Sequence, residues 1–527
     1  MTRAAGAILA GLASLVTLAG CSARGVEVAD DRPQAVQEQL ARARTTDLFG
    51  PREDYTASPF EEEGARELYA VRPPSGCEVA VARFGEDSFA VRLAAIKRAR
   101  HSIRIQALVF KGDETGLRIA EVLKQKKAEG VDVRIIVDAL SNPWLQTQWM
   151  FFDLKQHGIE VEGYEALGLQ WINELPVPKA MPHFDPLRPD KRFHEKLWIV
   201  DGGTPQAIAV TGGLNIGNEY FRADPQDPAG FWRDQDVVLR GAVVDDLVAA
   251  FDHSFEYLVS IKKSRGIFNT NLYWDATRAV LDKTGKVPVS YRTDPRLVAR
   301  VADMEAGTPE TVFQPSRCRF LHSRPRMREN FILEAYLKLI AGAREELLVA
   351  NAYFVPTPLV RAALREAATR CVAVTLVTNS PDTNDLPEIS LVGRGHYREL
   401  LDINRSPDVA RCTRPGAGIR IWEWTGKSAD PDTPRYGTMH SKFAVADRRI
   451  ALVGSYNLDP RSAKLNSETA IVVDNPAIAG PLARSIVEHD LRFSDEVSRD
   501  DAAEFEHPGT VSARLRLDLA RLFEDQL

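Results

Sequence analysis

The sequence predicts an α/β protein built from two similar halves, each a mostly parallel sheet flanked by helices. Three observations predict it. Helix-like and strand-like segments alternate from about Ser88 onward. The same order of segments recurs about 240 residues later, which marks a long-period internal duplication. Each run then reaches a His-x-Lys-x-x-x-x-Asp spacing followed by a Gly-rich turn and an asparagine.

In the first half, "FAVRLAAIKRAR" has helical periodicity and "SIRIQALVF" reads as a buried strand. "GLRIAEVLKQKKAEG" is a helix stopped at Gly130, and "VDVRIIVDA" is a second strand. In the second half, "ENFILEAYLKLIAGA" and "PLVRAALREAATR" are the helices, while "EELLVANAYFV" and "CVAVTLVTNS" are the strands. "GIEVEGYEALG" in one half answers "GIRIWEWTG" in the other, and both precede a candidate motif.

The flanks carry no visible chemistry. Residues 1–20 hold Arg3 and then an apolar run too short for a membrane span of about 20 residues. Residues 21–75 are polar and charged and read as a tether. The first domain is expected at 76–300, a linker at 301–330, the second domain at 331–500 and a C-terminal segment at 501–527. Cys77, Cys318, Cys371 and Cys412 match no metal-ligand spacing; they form disulfides in an exported protein or remain buried thiols.

Composition is ordinary for a globular chain, with 44% hydrophobic and 27% charged residues among 527. The net charge of −6 excludes a broad basic face, and no basic–aromatic stripe is present, so a nucleic-acid role is disfavoured. An anionic substrate would have to be held by a local cluster.

Two such clusters are visible. His194, Lys196 and Asp201 form the first motif and His440, Lys442 and Asp447 the second. In an extended strand a histidine and a lysine two residues apart share one face. That pairing suits a phosphate: the lysine supplies positive charge, and the imidazole attacks or carries a proton. The turns place Gly212, Gly213 and Asn215 opposite Gly454, Ser455 and Asn457, where glycine permits close backbone approach and Ser455 and the asparagines can hydrogen-bond phosphate oxygens. "FWRDQDVVL" aligns with "LNSETAIVV", which sets Asp234 opposite Glu468. Each carboxylate is expected to orient the histidine of its own copy. Asp201 and Asp447 end their strands and are expected to be structural, since an aspartate at a turn commonly bonds nearby backbone. No carboxylate cluster suggests a metal site, and no cofactor is expected.

These residues resemble the phospholipase D superfamily, the HKD enzymes, over about Ser88 to Arg499. The resemblance implies two halves packed about a pseudo-twofold with one shared site, a phosphohistidine intermediate and no metal. Within that superfamily, "RFHEKL", "TGGLNIGNEYF", "NAYFVP", "HYRELL" and "GSYNLDPRSAKLNSE" are similar to bacterial cardiolipin synthases, which transfer a phosphatidyl group between phospholipids. "LAGC", ending at Cys21, resembles a bacterial lipobox and implies cleavage and lipidation there; Ser22 then points to the outer membrane, facing the periplasm, and the alternative is a plain secretion signal. The lipid-anchored branch is the one most resembled. The expected activity is synthesis of cardiolipin from phosphatidylglycerol with phosphatidylglycerol or phosphatidylethanolamine. The alternatives are hydrolysis to phosphatidic acid and a non-catalytic lipid-binding lipoprotein. "SRCRFLHSRPRMREN", with Arg317, Arg319, Arg324, Arg326 and Arg328, is either a contact for anionic lipid or a solvated linker. Trp171 and Trp274 are candidate interfacial anchors or core residues.

Overall fold

The computed structural model describes residues 32–55, 70–138, 141–164, 192–227, 230–264, 291–307, 311–324, 329–430, 433, 435–506, 511–521 and 524. Cys21, Trp171, Trp274, His183, Arg326 and Arg328 lie outside them.

Each half contains one sheet of eight strands. In the first, β1 (Glu78–Ala82), β2 (Ser102–Ala107), β3 (Asp132–Asp138), β4 (Glu160–Tyr164), β5 (Leu197–Val200), β6 (Ile208–Gly212), β7 (Asp236–Arg240) and β8 (Gln314–Pro315) run in the order β4-β3-β2-β5-β6-β7-β1-β8. In the second, β9 (Arg317–Ser323), β10 (Glu346–Asn351), β11 (Ala373–Asn379), β12 (Gly418–Trp424), β13 (Lys442–Ala446), β14 (Ile450–Gly454), β15 (Glu468–Asp474) and β16 (Ser494–Glu496) run in the order β16-β12-β11-β10-β13-β14-β15-β9. Seven strands therefore share one order in both halves, with an extra edge strand at opposite ends. The duplication read from the sequence is a duplication of fold.

The sheets are mixed, not mostly parallel. Parallel pairing is confined to β2–β3–β4 and β10–β11–β12, where a helix makes each crossover. The strands from β5 to β7 and from β13 to β15 pair antiparallel, and so do their neighbours β2 and β10. The reason is local: β13 returns as β14 through a tight turn at residues 447–449, and a tight turn joins only antiparallel strands.

Both faces of these sheets are covered. On β5, Leu197 and Ile199 enter one core while Trp198 and Val200 enter another. Helix Val243–Ser264 lies on the first sheet and also packs on β9 of the second, so the larger core runs through the junction of the halves.

Two expected boundaries need correction. The 301–330 linker is not one. Helix Pro295–Ala306 packs on the first half through Val301 and Met304; β8 then closes the first sheet, and only Ser316 separates it from β9 of the second. Two of the arginines there point inward: Arg319 donates to the carbonyls of Leu48 and Gly50, and Arg324 forms a buried pair with Glu329 at 2.6 Å. Nor is all of 21–75 a tether, because helix Pro33–Thr45 buries Val36, Leu40 and Ala43 against helices Phe331–Gly342 and Pro358–Thr369. The four cysteines form two disulfides. Cys77–Cys318 ties the entry of β1 to β9 across the halves, and Cys371–Cys412 lies within the second half. Among the described residues, no helix is long and apolar enough to cross a membrane.

Candidate active site

The two motifs meet where the halves touch. His194 enters β5 and His440 enters β13, and each main chain is pinned by the other half. The His194 N–H donates to the Ser467 carbonyl at 3.0 Å, and the His440 N–H donates to the Arg233 carbonyl at 2.7 Å. Short parallel bridges, Phe193 with Ser467 and Arg233 with Met439, thus place the residue before each carboxylate beside the opposite histidine.

That arrangement corrects one expectation. The carboxylates do orient the histidines, but crosswise. Glu468 takes His194, with its oxygens 2.9 and 2.8 Å from Nδ1. Asp234 takes His440, its Oδ2 lying 2.9 Å from Nδ1. The exchanged backbone bridges leave no other choice, because each carboxylate's strand emerges alongside the opposite histidine. In both cases Nδ1 is committed and Nε2 is left to the site.

Lys196 and Lys442 stand beside their histidines, as the two-residue period requires. Each ammonium donates to the carbonyl of its own motif histidine, at 2.6 Å to His194 and 2.5 Å to His440. Asn215 is buried and its Oδ1 accepts the Val109 N–H at 3.2 Å; the buried Oδ1 of Asn457 has no hydrogen-bond partner among the described residues.

The turn residues also shape the strands and the carboxylates. A side chain at Gly212 or Gly454 would collide with the next strand: an added Cβ would lie 2.8 Å from the Asp236 Cα or 2.2 Å from the Thr469 carbonyl. Gly213 makes room for Asp234, whose Oδ2 would lie 2.4 Å from an added Cβ. Ser455 donates to Glu468 at 2.5 Å, and Ser462 donates to its other oxygen at 2.9 Å. All four positions serve strand packing or the carboxylates.

Asp201 and Asp447 are scaffold, as expected. Asp201 accepts the N–H groups of Arg100, His101 and Ser102 at 2.7–3.1 Å. Asp447 accepts those of Arg344, Glu345 and Glu346 at 2.7–3.2 Å. Each fastens the end of the motif strand to the start of its neighbour, β2 or β10. Both adopt the left-handed conformation, φ 52° and 53°, which aspartate tolerates through such bonds.

Burial sets the electrostatics. It holds both histidines well below the usual range, and the neighbouring Lys196 and Lys442 push them further down; Arg461 adds to this at His194. The imidazoles are therefore neutral at neutral pH, the form that attacks. Burial also lowers Lys196 to about 7 and Lys442 to about 8, and it raises Glu468 to about 7 and Asp234 to about 8. Two desolvated ammonium groups facing two neutral imidazoles make a site that an anion completes.

Several residues near the site were not singled out from the sequence. The rings of Tyr220, Trp232 and Tyr353 lie 5.3, 5.6 and 6.4 Å from the His440 ring. His322 bonds the buried Glu195 at 2.9 Å, directly behind the first motif. His396 is a local hydrogen-bonder, to Glu524 at 2.8 Å. The signal for the aromatics was available: they occupy positions beside the motifs that differ between the two copies.

Comparison with known proteins agrees with this geometry. A family model described as "Cardiolipin synthase, PLD-like domain" matches residues 93–238 and 336–490, once per half. The chain is 26% identical over 449 residues to a probable cardiolipin synthase, YwiE, of Bacillus subtilis (strain 168), covering 85% of this chain and 72% of that protein. It is 26% identical over 414 residues to a cardiolipin synthase of Halalkalibacterium halodurans, covering 78% of this chain and 66% of that one. The crystal structure of phosphatidylserine synthase from Haemophilus influenzae Rd KW20 superposes with a TM-score of 0.55 at 14% identity, over 86% of this chain and 98% of the other, and so shares the fold. The chain belongs to the PLD-like family that this model describes.

Proposed function

We propose that the protein is a phospholipase D-type phosphatidyltransferase that makes cardiolipin from phospholipids. The observation that carries the reading is the pair of neutral, buried histidines, each held at Nδ1 by a carboxylate of the other half and flanked by a lysine. The similarity to proteins named cardiolipin synthase over most of the chain supports the choice of lipid as substrate.

His194 attacks phosphorus through Nε2. The phosphorus–oxygen bond to the head group breaks; His440 gives its Nε2 proton to the departing oxygen while its Nδ1 takes up the proton that buried Asp234, raised to about 8, holds at neutral pH. The phosphatidyl group is then bonded to His194. An acceptor hydroxyl gives its proton back to His440 and attacks phosphorus, which breaks the phosphorus–nitrogen bond. Lys196 and Lys442 carry the charge of the phosphoryl oxygens, and the phosphate in turn restores their full protonation. No step calls for a metal, and activity in excess chelator is expected to equal that without it.

Water and an alcohol compete for the same intermediate, so the test is a product assay. Labelled phosphatidylglycerol, with and without phosphatidylethanolamine, is supplied and the products are separated. Cardiolipin supports the transferase; phosphatidic acid alone would make the protein a hydrolase. We place the chain at the cell envelope, lipid-anchored through Cys21 with residues 1–20 removed. Acyl labelling should be lost in Cys21→Ser, and labelling that persists would reject that anchor.

A further inference from the structure

The two sides of the phosphate site are related by the fold yet lined differently. The strand registers fix the equivalences. Ala350 pairs with Phe443 as Gln106 pairs with Leu197, so Tyr353 corresponds to Val109. The bridges Phe110 with Ile216 and Phe354 with Leu458 make Tyr220 the counterpart of Ser462. Counting back from Asp234 and Glu468 makes Trp232 the counterpart of Asn466. His440 therefore faces two tyrosines and a tryptophan where His194 faces valine, serine and asparagine. Ser462 is already committed to orienting Glu468.

The aromatic side also has a polar rim. The Tyr353 hydroxyl donates to Asp385 Oδ1 at 2.7 Å; Asp385 is exposed and Tyr353 half-buried, so this pair leads from solvent towards His440. The Lys442 ammonium lies 5.8 Å from the Tyr353 ring centre, which places that ring over the phosphate-binding cation. Tyr220 and Trp232 come from the first half and Tyr353 and Asp385 from the second, so the group exists only where the halves meet.

We propose that Tyr353, Tyr220 and Trp232, with Asp385 at the rim, form the subsite that seats the polyol head group of the acceptor phospholipid beside His440. The inference rests on the transferase reading above and adds where the acceptor is chosen. An alcohol must arrive within reach of the acid–base histidine. Ring faces pack against the carbon–hydrogen face of a polyol and leave little room for loose water, while a carboxylate and a phenol can bond its spare hydroxyls. The corresponding positions on the His194 side, Val109, Ser462 and Asn466, carry no ring and no carboxylate. In the step favoured, the acceptor's oxygen–hydrogen bond gives its proton to His440 Nε2 and a phosphorus–oxygen bond replaces the phosphorus–nitrogen bond at His194.

The test reads how each intermediate is resolved. The full chain is supplied with labelled phosphatidylglycerol in vesicles, and the ratio of phosphatidic acid to cardiolipin is measured, so that a change in total turnover does not enter. Tyr353→Val, which copies the other side, is expected to raise that ratio about tenfold. Tyr353→Phe, which removes the hydroxyl, and Asp385→Asn, which removes the charge and turns one acceptor into a donor, are expected to raise it about threefold to tenfold. Tyr353→Phe also keeps the ring and guards against a folding defect. An unchanged ratio in all three variants overturns the proposal, as does a proportional loss of both products. A wild-type protein that makes no cardiolipin instead removes the transferase reading, and that outcome is seen before any variant is compared.

Discussion

The Glu468 and Asp234 half-sites perform one task with different parts. Glu468 is the longer acid; two hydroxyls, from Ser455 and Ser462, hold it and both its oxygens reach His194. Asp234 is shorter and touches His440 through one oxygen, while the other accepts the Gln235 N–H at 2.8 Å. Gly213 stands where Ser455 stands in the other copy, and its missing side chain is what admits the Asp234 carboxylate. A duplicated fold thus conserves the position of a charge against an imidazole, not the residues that deliver it. Carboxylate length and turn residue vary together.

The largest expected effect tests whether the half-sites are equally necessary. His194→Ala and His440→Ala should each lower turnover by about ten-thousandfold or more while unfolding cooperatively like the wild type. Near-normal activity in either variant would break the shared-site comparison. Next, Glu468→Gln and Asp234→Asn should each cost about a hundredfold to ten-thousandfold in kcat, since an orienting carboxylate fixes tautomer and stabilises positive charge. The crossing itself is read by nuclear magnetic resonance. Glu468→Gln should move the Nδ1 proton of His194 and leave that of His440 in place, and a shift at His440 instead would restore the uncrossed pairing.

Smaller effects sharpen the contrast in the turns. Gly213→Ser puts a side chain into the Asp234 carboxylate and should lower stability by about 2–3 kcal/mol in urea titration. Ser455→Gly loses one buried hydrogen bond to Glu468 and should lower it by about 1 kcal/mol. Equal costs would mean that the two turns are not adapted to their acids. The lysines predict a pH effect as well. Burial depresses Lys196 to about 7 and Lys442 to about 8, so the empty site loses positive charge as pH rises through that window. A phosphate ligand needs the charged form. Its affinity should be greatest below pH 7, fall by up to about tenfold per pH unit between 7 and 8 and by up to about a hundredfold per unit above 8, with proton uptake on binding seen by calorimetry in two buffers of different ionisation heat. Affinity flat from pH 7 to 9 would contradict the lysine assignment.

Much of this was legible in the sequence because it is local. Apolar periodicity located the helices and central strands of both halves, and the repeated spacing located both histidines, both lysines and the carboxylates opposite them. Asp201 and Asp447 were read correctly because a turn aspartate bonds backbone within its own neighbourhood. The crossing was not legible, since aligning two copies says which residues correspond and nothing about which ones meet. Strand β9 was hidden by the arginines in and beside it: Arg319, and Arg324 just past its end, are buried and bond carbonyls and Glu329, and charge density alone suggested solvent. The mixed pairing of the sheets escaped because periodicity reports a strand's faces and not its direction.

The exchanged carboxylates have a consequence for descent. Once each copy came to orient the imidazole of the other, neither could change alone, and the two repeats became a single unit of selection. A substitution that disables Asp234 is answered at residue 440, some two hundred positions away, before it is answered anywhere in its own repeat.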